Sequence, residues 1–388
     1  LSSKTYTITS PIQLTTGNEI YGNGVSSVIQ NTTSGSDTIQ ILGLVGTPYP
    51  DVKIHDFKII STADSGSDII DADYSNNLQV YNMHFDTGDT GVLLSYCHNA
   101  SIKNNYMTDI QTGISPNYSN YVKTVNNHVE NGEVSWPGTG SGIVYYYSEN
   151  GVIDGNTVYN PGDDGIVVNF DSIDAVISNN NISTTGRYGM IVDNGSLGSR
   201  IIGNKVDNAT NTGMAITENE HVIIGNEIRD CDTTAMTAED SSYCTISNNR
   251  ITDCGTTTSH HGINASGTAS GVNFNIISNN VIEGVTGASI TFSAATGGIT
   301  NNQIVNNIID TPHRGIALVS SETNMIIKSN IISGSGNVAD RLVNIPALAV
   351  LDKTIQIPTP IDLSGAAISG QVLYLPKIEG RVSAIHIY

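Results

Sequence analysis

Residues 153–182 read IDGNTVYNPGDDGIVVNFDSIDAVISNNNI, a run that opens and closes on the same phrase. Asn156 and Asn180 each stand three residues after an isoleucine (Ile153, Ile177) and two before an aliphatic (Val158, Ile182). Between them Gly165 opens a Gly-aliphatic-x-aliphatic stretch, GIVV. Outward in both directions the asparagine recurs as Asn105, Asn127, Asn204, Asn226, Asn249, Asn280, Asn307 and Asn330. Its steps are mostly 22 to 24 residues, with longer ones of 29 after Asn127, 31 after Asn249 and 27 after Asn280. Asn82 and Asp56 extend the series backwards, giving twelve positions. The aliphatics ride with it from Ile102 to Ile327 and from Val129 to Ile332, and the glycine stretch returns at Gly91, Gly189, Gly213, Gly262 and Gly315.

A period near 23 is too short for a strand with a crossover helix, which needs roughly 30 residues. It does hold three short strands and three turns, one coil of a parallel β-helix. Stacked coils place equivalent residues about 4.8 Å apart. The aliphatics then form columns inside, and the asparagines form a ladder of amides bonded above and below. Asparagine also tolerates the left-handed conformation that such corners demand. A leucine-rich repeat is the nearest competitor by length, but its leucine pattern is absent. The expected fold is all-β, a solenoid of about 12 coils over residues 1–340, with a β-strand extension over 341–388 that packs on the last coil or continues into or pairs with another domain or subunit. The longer steps are expected to be loops leaving the coil, around Trp136 and over residues 254–261 and 266–275.

The chain of 388 residues carries 16 Lys+Arg against 36 Asp+Glu, a net charge of −20. That balance excludes duplex nucleic acid and anionic membrane as partners, because both reward clustered cations. Charged residues are only 13% of the chain, so it is no disordered acidic tail. With 42 Asn and 39 Gly, composition favours tight turns over long helices. No apolar run reaches the length of a membrane span. The start, Leu1-Ser2-Ser3-Lys4, has neither an initiator Met nor a signal core and reads as a processed end. Cys231 and Cys254 fall at equivalent places in neighbouring repeats and read as stacked buried thiols, with a bridge as the alternative.

These Asn-Asn-x-Ile and Gly-Ile-x-Val coils resemble the right-handed parallel β-helices of the pectin-lyase-like superfamily, including NosD-type proteins, mannuronan epimerase modules and viral tailspikes. The likeness runs over about residues 15 to 335 and implies a polysaccharide partner and an extracellular, cell-surface or virion location. GDDGIVVN at 162 is similar to the paired-Asp motif of polygalacturonase-type hydrolases, and SHHGI at 259 to their Gly-His-Gly motif. Here the two lie roughly four coils apart rather than one, and the Arg-Ile-Lys motif is missing. RYGMIVDN at 187 resembles the epimerase signature at Tyr188, while Ile191 and Asp193 depart from it.

On the Gly-Ile-x-Val strand the residues one and three after the glycine point inward, so those two and four after it point out. The fourth position reads Asp73, Ser95, Asn117, Tyr146, Asn169, Asp193, Thr217, Glu239, Ser266 and Thr291. Beside this polar stripe stand Asp163, Asp164, Arg187, Tyr188, His260, His261 and the aromatic run Tyr145 to Tyr147. Exposed aromatics over a polar groove suit sugars. Tyr146, Asn169, Arg187, Tyr188, Thr217 and His261 are the expected substrate contacts, and Trp136 an expected sugar platform.

Asp193 and Glu239 share the column two coils apart, about 9.6 Å by backbone rise. That spacing suits an inverting glycosidase, whose carboxyls stand roughly 6.5 to 9.5 Å apart. Glu239, beside Asp240, is the expected acid and Asp193 the base; Asp163 and Asp164 are next in line. The expectation is a glycan-binding hydrolase needing no cofactor, assembled as a homotrimer or within a larger parent. The alternatives are a Ca²⁺-dependent lyase or uronate epimerase, and a non-catalytic fibre or adhesin. Cys and His spacings match no zinc pattern, while Ca²⁺ stays possible.

Overall fold

A computed structural model describes residues 1–61, 66–130, 140–267, 271–294, 298–319, 322–334, 342–343 and 350–351. One central coil gives the plan. Val152–Asp154 forms face B, Thr157–Tyr159 face C and Ile166–Asn169 face A, before Val176–Ser178 returns to face B. Each strand pairs in parallel with its equivalent one coil on, Ile153 with Ile177, Val158 with Ile182 and Ile166 with Met190. The pattern repeats as an all-β parallel solenoid of about thirteen turns. Among the described residues no helix is long and apolar enough to cross a membrane.

The interior is the set of columns that the repeat implies. Ile102 to Ile327 on face B and Val129 to Ile332 on face C are all buried. Removing each such side chain from water contributes about 1.5–3 kcal/mol. At the corner between these faces the asparagine ladder runs from Asn105 to Asn330. Asn127 is typical. Its Nδ2 donates to Ile102 O (2.9 Å) and to Asn156 Oδ1 (3.0 Å), while its Oδ1 accepts from the backbone N and Nδ2 of Asn105 (3.1 and 2.9 Å). Every ladder amide is at most 2% exposed, so these bonds satisfy groups that water cannot reach.

The backward extension of that ladder is corrected by one residue. Tyr81 pairs with Lys103, so Asn105 stacks on Met83, and Asn82 lies outside. Asn82 and Asp56 belong to the neighbouring outer column, with φ of 54° and 62°, and bond each other at 3.0 Å. That column holds the first residue of each doublet, such as Asn104, Asn126 and Asn179, all left-handed.

One other expectation changes. The segment 266–275 is not only a loop: Val272–Asn273 opens a small parallel sheet continued by Ile299–Thr300 and Glu322–Thr323. Residues 255–261 do leave the coil, with Thr256 to Ser259 exposed. Cys231 and Cys254 are free and buried, stacked thiol on thiol. Leu342–Val343 and Val350–Leu351 add parallel strands to faces A and B; the remainder of the 341–388 extension lies outside the described residues.

Candidate functional site

Face A presents the polar stripe. Tyr146 pairs with Asn169 across one rung, Asp193 follows Val192 one rung on, Thr217 follows Ile216, and Thr217 pairs with Glu239. All five side chains are half-buried. The stripe continues through Ser266 to Ser293, not Thr291, which pairs with Asn264 and is 3% exposed. Gly287 misled the count, because Ser289 is the residue that lines up with Gly262. The second outward column is largely apolar and covered, with Ser115, Val144, Val167 and Ala215 buried.

Asp193 is held from both sides. Its Oδ1 accepts from Thr217 Oγ1 and from Asn194 N, each at 2.6 Å. Thr217 is gripped from within as well: the buried His221 donates from Nε2 to Thr217 O at 2.8 Å while its Nδ1 accepts from Ser199 N at 3.2 Å. Burial lowers the His221 pKa and keeps the ring neutral.

The PGDDG turn feeds the same face. Asp164 is 2% exposed; Arg187 donates to it from Nε (3.0 Å) and Nη2 (2.5 Å), and Tyr188 N donates to its Oδ1 (3.1 Å). Asp163 lies 2.9 Å from Arg187 Nε and is more open. Desolvation, then the neighbouring Asp164, raises the Asp163 pKa against the pull of Arg187. The Arg187 guanidinium also lies 4.9 Å from the Tyr188 ring centroid. Asp164 is therefore committed to an ion pair, and Asp163 is the carboxyl of the doublet with an open side. Burial, then Asp164 and Asp163, raises the Tyr146 hydroxyl pKa, so it stays a donor.

The two hydrolase-like motifs are not brought together. Ile166 to Ile263 is four rungs, about 19 Å. His261 lines the turn with its Nδ1 accepting from Ala288 N at 3.1 Å, and burial lowers its pKa. Of the tyrosine run, Tyr145 points inward, is 0% exposed and bonds Thr124, as the strand alternation requires. Trp136 lies outside the described residues. Among the described residues no three His, Cys, Asp or Glu side chains are placed to hold a metal ion.

Two features of this face escaped the sequence reading. Tyr74, Tyr96, Tyr118, Tyr147 and Phe170, the residues just past the stripe, stack ring on ring over five coils at 4.8, 5.0, 4.5 and 5.3 Å. The signal was a recurring aromatic after the fourth position. Asp37, Asp68, Asp71, Asp73 and Asp89 gather near the N-terminal end. Burial and then neighbouring carboxylates push Asp71 up to about 7, and burial foremost pushes Asp68 up to about 6. The Ser-Asp pairs at 36–37 and 67–68, one coil apart, were the available sign.

No curated protein matches the chain in sequence. Among solved structures it resembles tailspike protein 3 of Bacteriophage CBA120, at 13% identity and TM-score 0.55, over 96% of this chain and 59% of that one. It also aligns with the A-module of an Azotobacter vinelandii mannuronan C-5 epimerase (14%, TM-score 0.48, 90% of each chain). A third is the catalytic unit of a Streptomyces thermodiastaticus alpha-1,3-glucanase (14%, TM-score 0.47, 91% of this chain and 61% of that one). The chain thus spans about three fifths of the tailspike and glucanase lengths. The family model described as a right handed beta helix region matches residues 13–172, 68–221 and 164–332 in overlapping segments, and the chain belongs to that family.

Proposed function

We propose that the chain binds a polysaccharide along face A and hydrolyses it with inversion. Asp193 is the base that activates water, and Glu239 the acid that protonates the leaving oxygen. The observation that carries this reading is the unbroken outward register Tyr146, Asn169, Asp193, Thr217, Glu239, which sets the two carboxylates two rungs apart. At about 9.6 Å of backbone rise, they leave room for a sugar and a water between them. Arg187 and Tyr188, braced by Asp164, flank the Asp193 coil and orient the substrate; Tyr146 donates to a sugar oxygen. An extracellular or virion setting and a homotrimeric assembly belong to the same reading.

A second reading places the acid at Asp71. It is favoured by a half-buried carboxyl pushed up to about 7, which suits a general acid near neutrality, with Asp73 two residues on along the same strand.

The test is a panel of neutral and uronate polysaccharides, scored for reducing ends, for ultraviolet absorbance of unsaturated products and for binding. New reducing ends without unsaturation support hydrolysis. Unsaturated products point to a lyase, and binding without cleavage to an adhesin. Loss of hydrolysis in Asp71→Asn but not in Glu239→Gln would move the acid to the second site.

A further inference from the structure

We propose that face B is the surface through which copies of this chain associate side by side, coil beside coil, around a common axis. The inference deepens the homotrimeric assembly proposed above and rests on it for the number three. The surface itself is read from this chain.

Face B changes character along the solenoid. Its outward positions begin polar, with Lys53, Gln79, Lys103 and Lys123. Over the seven rungs from Val152 to Ile326, half of the sixteen outward positions are Val or Ile, among them Val176, Ile202, Val222, Ile224 and Ile276. The middle residues of these strands, Ile153 to Ile327, fill the core, so the residues on either side of them face away from it. The outward aliphatics are half-buried and no more. At about 4.8 Å per rung and about 3.3 Å per residue, the strip measures roughly 34 Å by 10 Å. An apolar patch of this order, roughly 300–600 Å², is the largest that a monomer ordinarily shows and often has a function.

Both edges of the strip carry large apolar groups in the open, at the same end of the solenoid. On the edge toward face A, Tyr243 and Phe274 stack at 5.0 Å with 3° between planes, 60% and 47% exposed. Their backbones are left-handed, φ 61° and 58°, at a corner where other coils place Asn150, Asp174, Gly198, Asn301 and Asn324. A bulky residue is an outlier in that region, and burial in the core does not offset its strain here. On the edge toward face C, Ile308 and Ile331 are 47% and 45% exposed. They follow Val281 in a column whose earlier members are Lys205, Glu227 and Arg250.

The chemistry of the strip selects a protein partner. Val and Ile offer a sugar neither a ring face nor a hydrogen bond. Asp154, Arg200 and Lys328 are the only outward charges over these rungs, too few cations for nucleic acid or an anionic membrane. Two copies of a chain of net charge −20 repel each other, and least where carboxylates are scarce.

The edges select a second copy. Phe274 and Val281 lie on one coil, and Ile308 stands one rung, about 4.8 Å, further on. With copies parallel and their coils level, the aromatic edge of one meets the aliphatic edge of the next. Because the two edges differ, the contact is head-to-tail and closes into a ring. The strip with its edges is of the order of the roughly 500 Å² per partner that a specific interface needs.

The test is sedimentation velocity and light scattering on the full chain at micromolar concentrations, with circular dichroism to verify each fold. Ile224→Glu places a charge at the centre of the strip, Phe274→Asn clears one edge with a residue that tolerates its φ, and Ile308→Lys charges the other. Tyr159→Ser removes an equally exposed ring, 44% open, from the far side of face C. The expected result is a trimer whose dissociation constant rises at least ten-fold in each of the first three variants and is unchanged in Tyr159→Ser. A parent that is monomeric throughout overturns the surface and the assembly proposed above together. A trimer that survives Ile224→Glu and Phe274→Asn overturns the surface alone, and one that survives only Ile308→Lys overturns the edge-to-edge ring. Polysaccharide binding and cleavage are read separately, so the site on face A stands or falls by its own assay.

Discussion

Thr217 Oγ1 donates a 2.6 Å hydrogen bond to Asp193 Oδ1 on the preceding coil, and the same Thr217 stands in register with Glu239 on the next. The hydroxyl that separates the two carboxylates also aims one of them. Both bonds to Asp193 go to Oδ1, and among the described residues Oδ2 has no partner, which leaves it as the atom able to take a proton from water. Asp193→Asn and Glu239→Gln are each expected to lower turnover on a cleaved polysaccharide by roughly 10²-fold or more, with melting unchanged. Thr217→Val should cost less, because it releases Asp193 without removing it. Wild-type turnover in either carboxylate variant would remove that residue from the mechanism.

The asparagine ladder makes a separate prediction about stability. Asn204 Oδ1 accepts from Asn180 N and Nδ2, and its Nδ2 donates to Ile177 O at 2.8 Å. Asn204→Ala orphans these buried groups together, and each unmet one costs about 1–3 kcal/mol. The expected effect is a fall in the denaturant midpoint far larger than that of an exposed change such as Asn181→Ala. Equal midpoints for the two variants would show that the ladder amides contribute nothing beyond filling space.

The ladder was legible in the sequence because a buried amide that must bond above and below admits little but asparagine. Its phase was harder to read. Asn82 and Asp56 keep the spacing yet belong to the outer column, since the left-handed residue beside the ladder favours the same amino acid. The stripe from Tyr146 to Glu239 was legible too, since strand alternation and a fixed period determine it. What Asp164 does was not, because its burial under Arg187 depends on the reach of side chains between coils.

Buried thiols give a third prediction. The hydrogen-bonded neighbour Cys254 and then burial push the Cys231 thiol far up, while burial pushes Cys97 up to about 12 and Cys244 to about 11. The thiolate is the reactive form, so the native chain should resist iodoacetamide at pH 8 and react at all four cysteines only once unfolded. Rapid labelling of Cys231 in the folded protein would contradict the stacked arrangement.

Asp71 provides the last prediction, a pH dependence with a definite sign. Burial first, then Asp73, Asp37 and Asp68, raises its folded pKa to about 7 from an ordinary carboxylate value of 3.8. The unfolded chain therefore loses this proton near pH 4 while the folded chain keeps it to about 7. Between those values the folded state binds more protons, so stability is full below pH 4 and declines as pH rises to about 7. His221, buried and neutral with a lowered pKa, acts in the opposite direction, costing stability as pH falls below its unfolded value. The two are separated by comparing Asp71→Asn with the parent, since His221 is common to both. Near pH 4 the pair should melt together. At pH 8 the variant should be more stable, with partial solvent screening holding the gain to the order of 1 kcal/mol. A variant equally stable at both pH values would mean that Asp71 ionises normally in the folded chain, and it would take with it the case for Asp71 as a general acid.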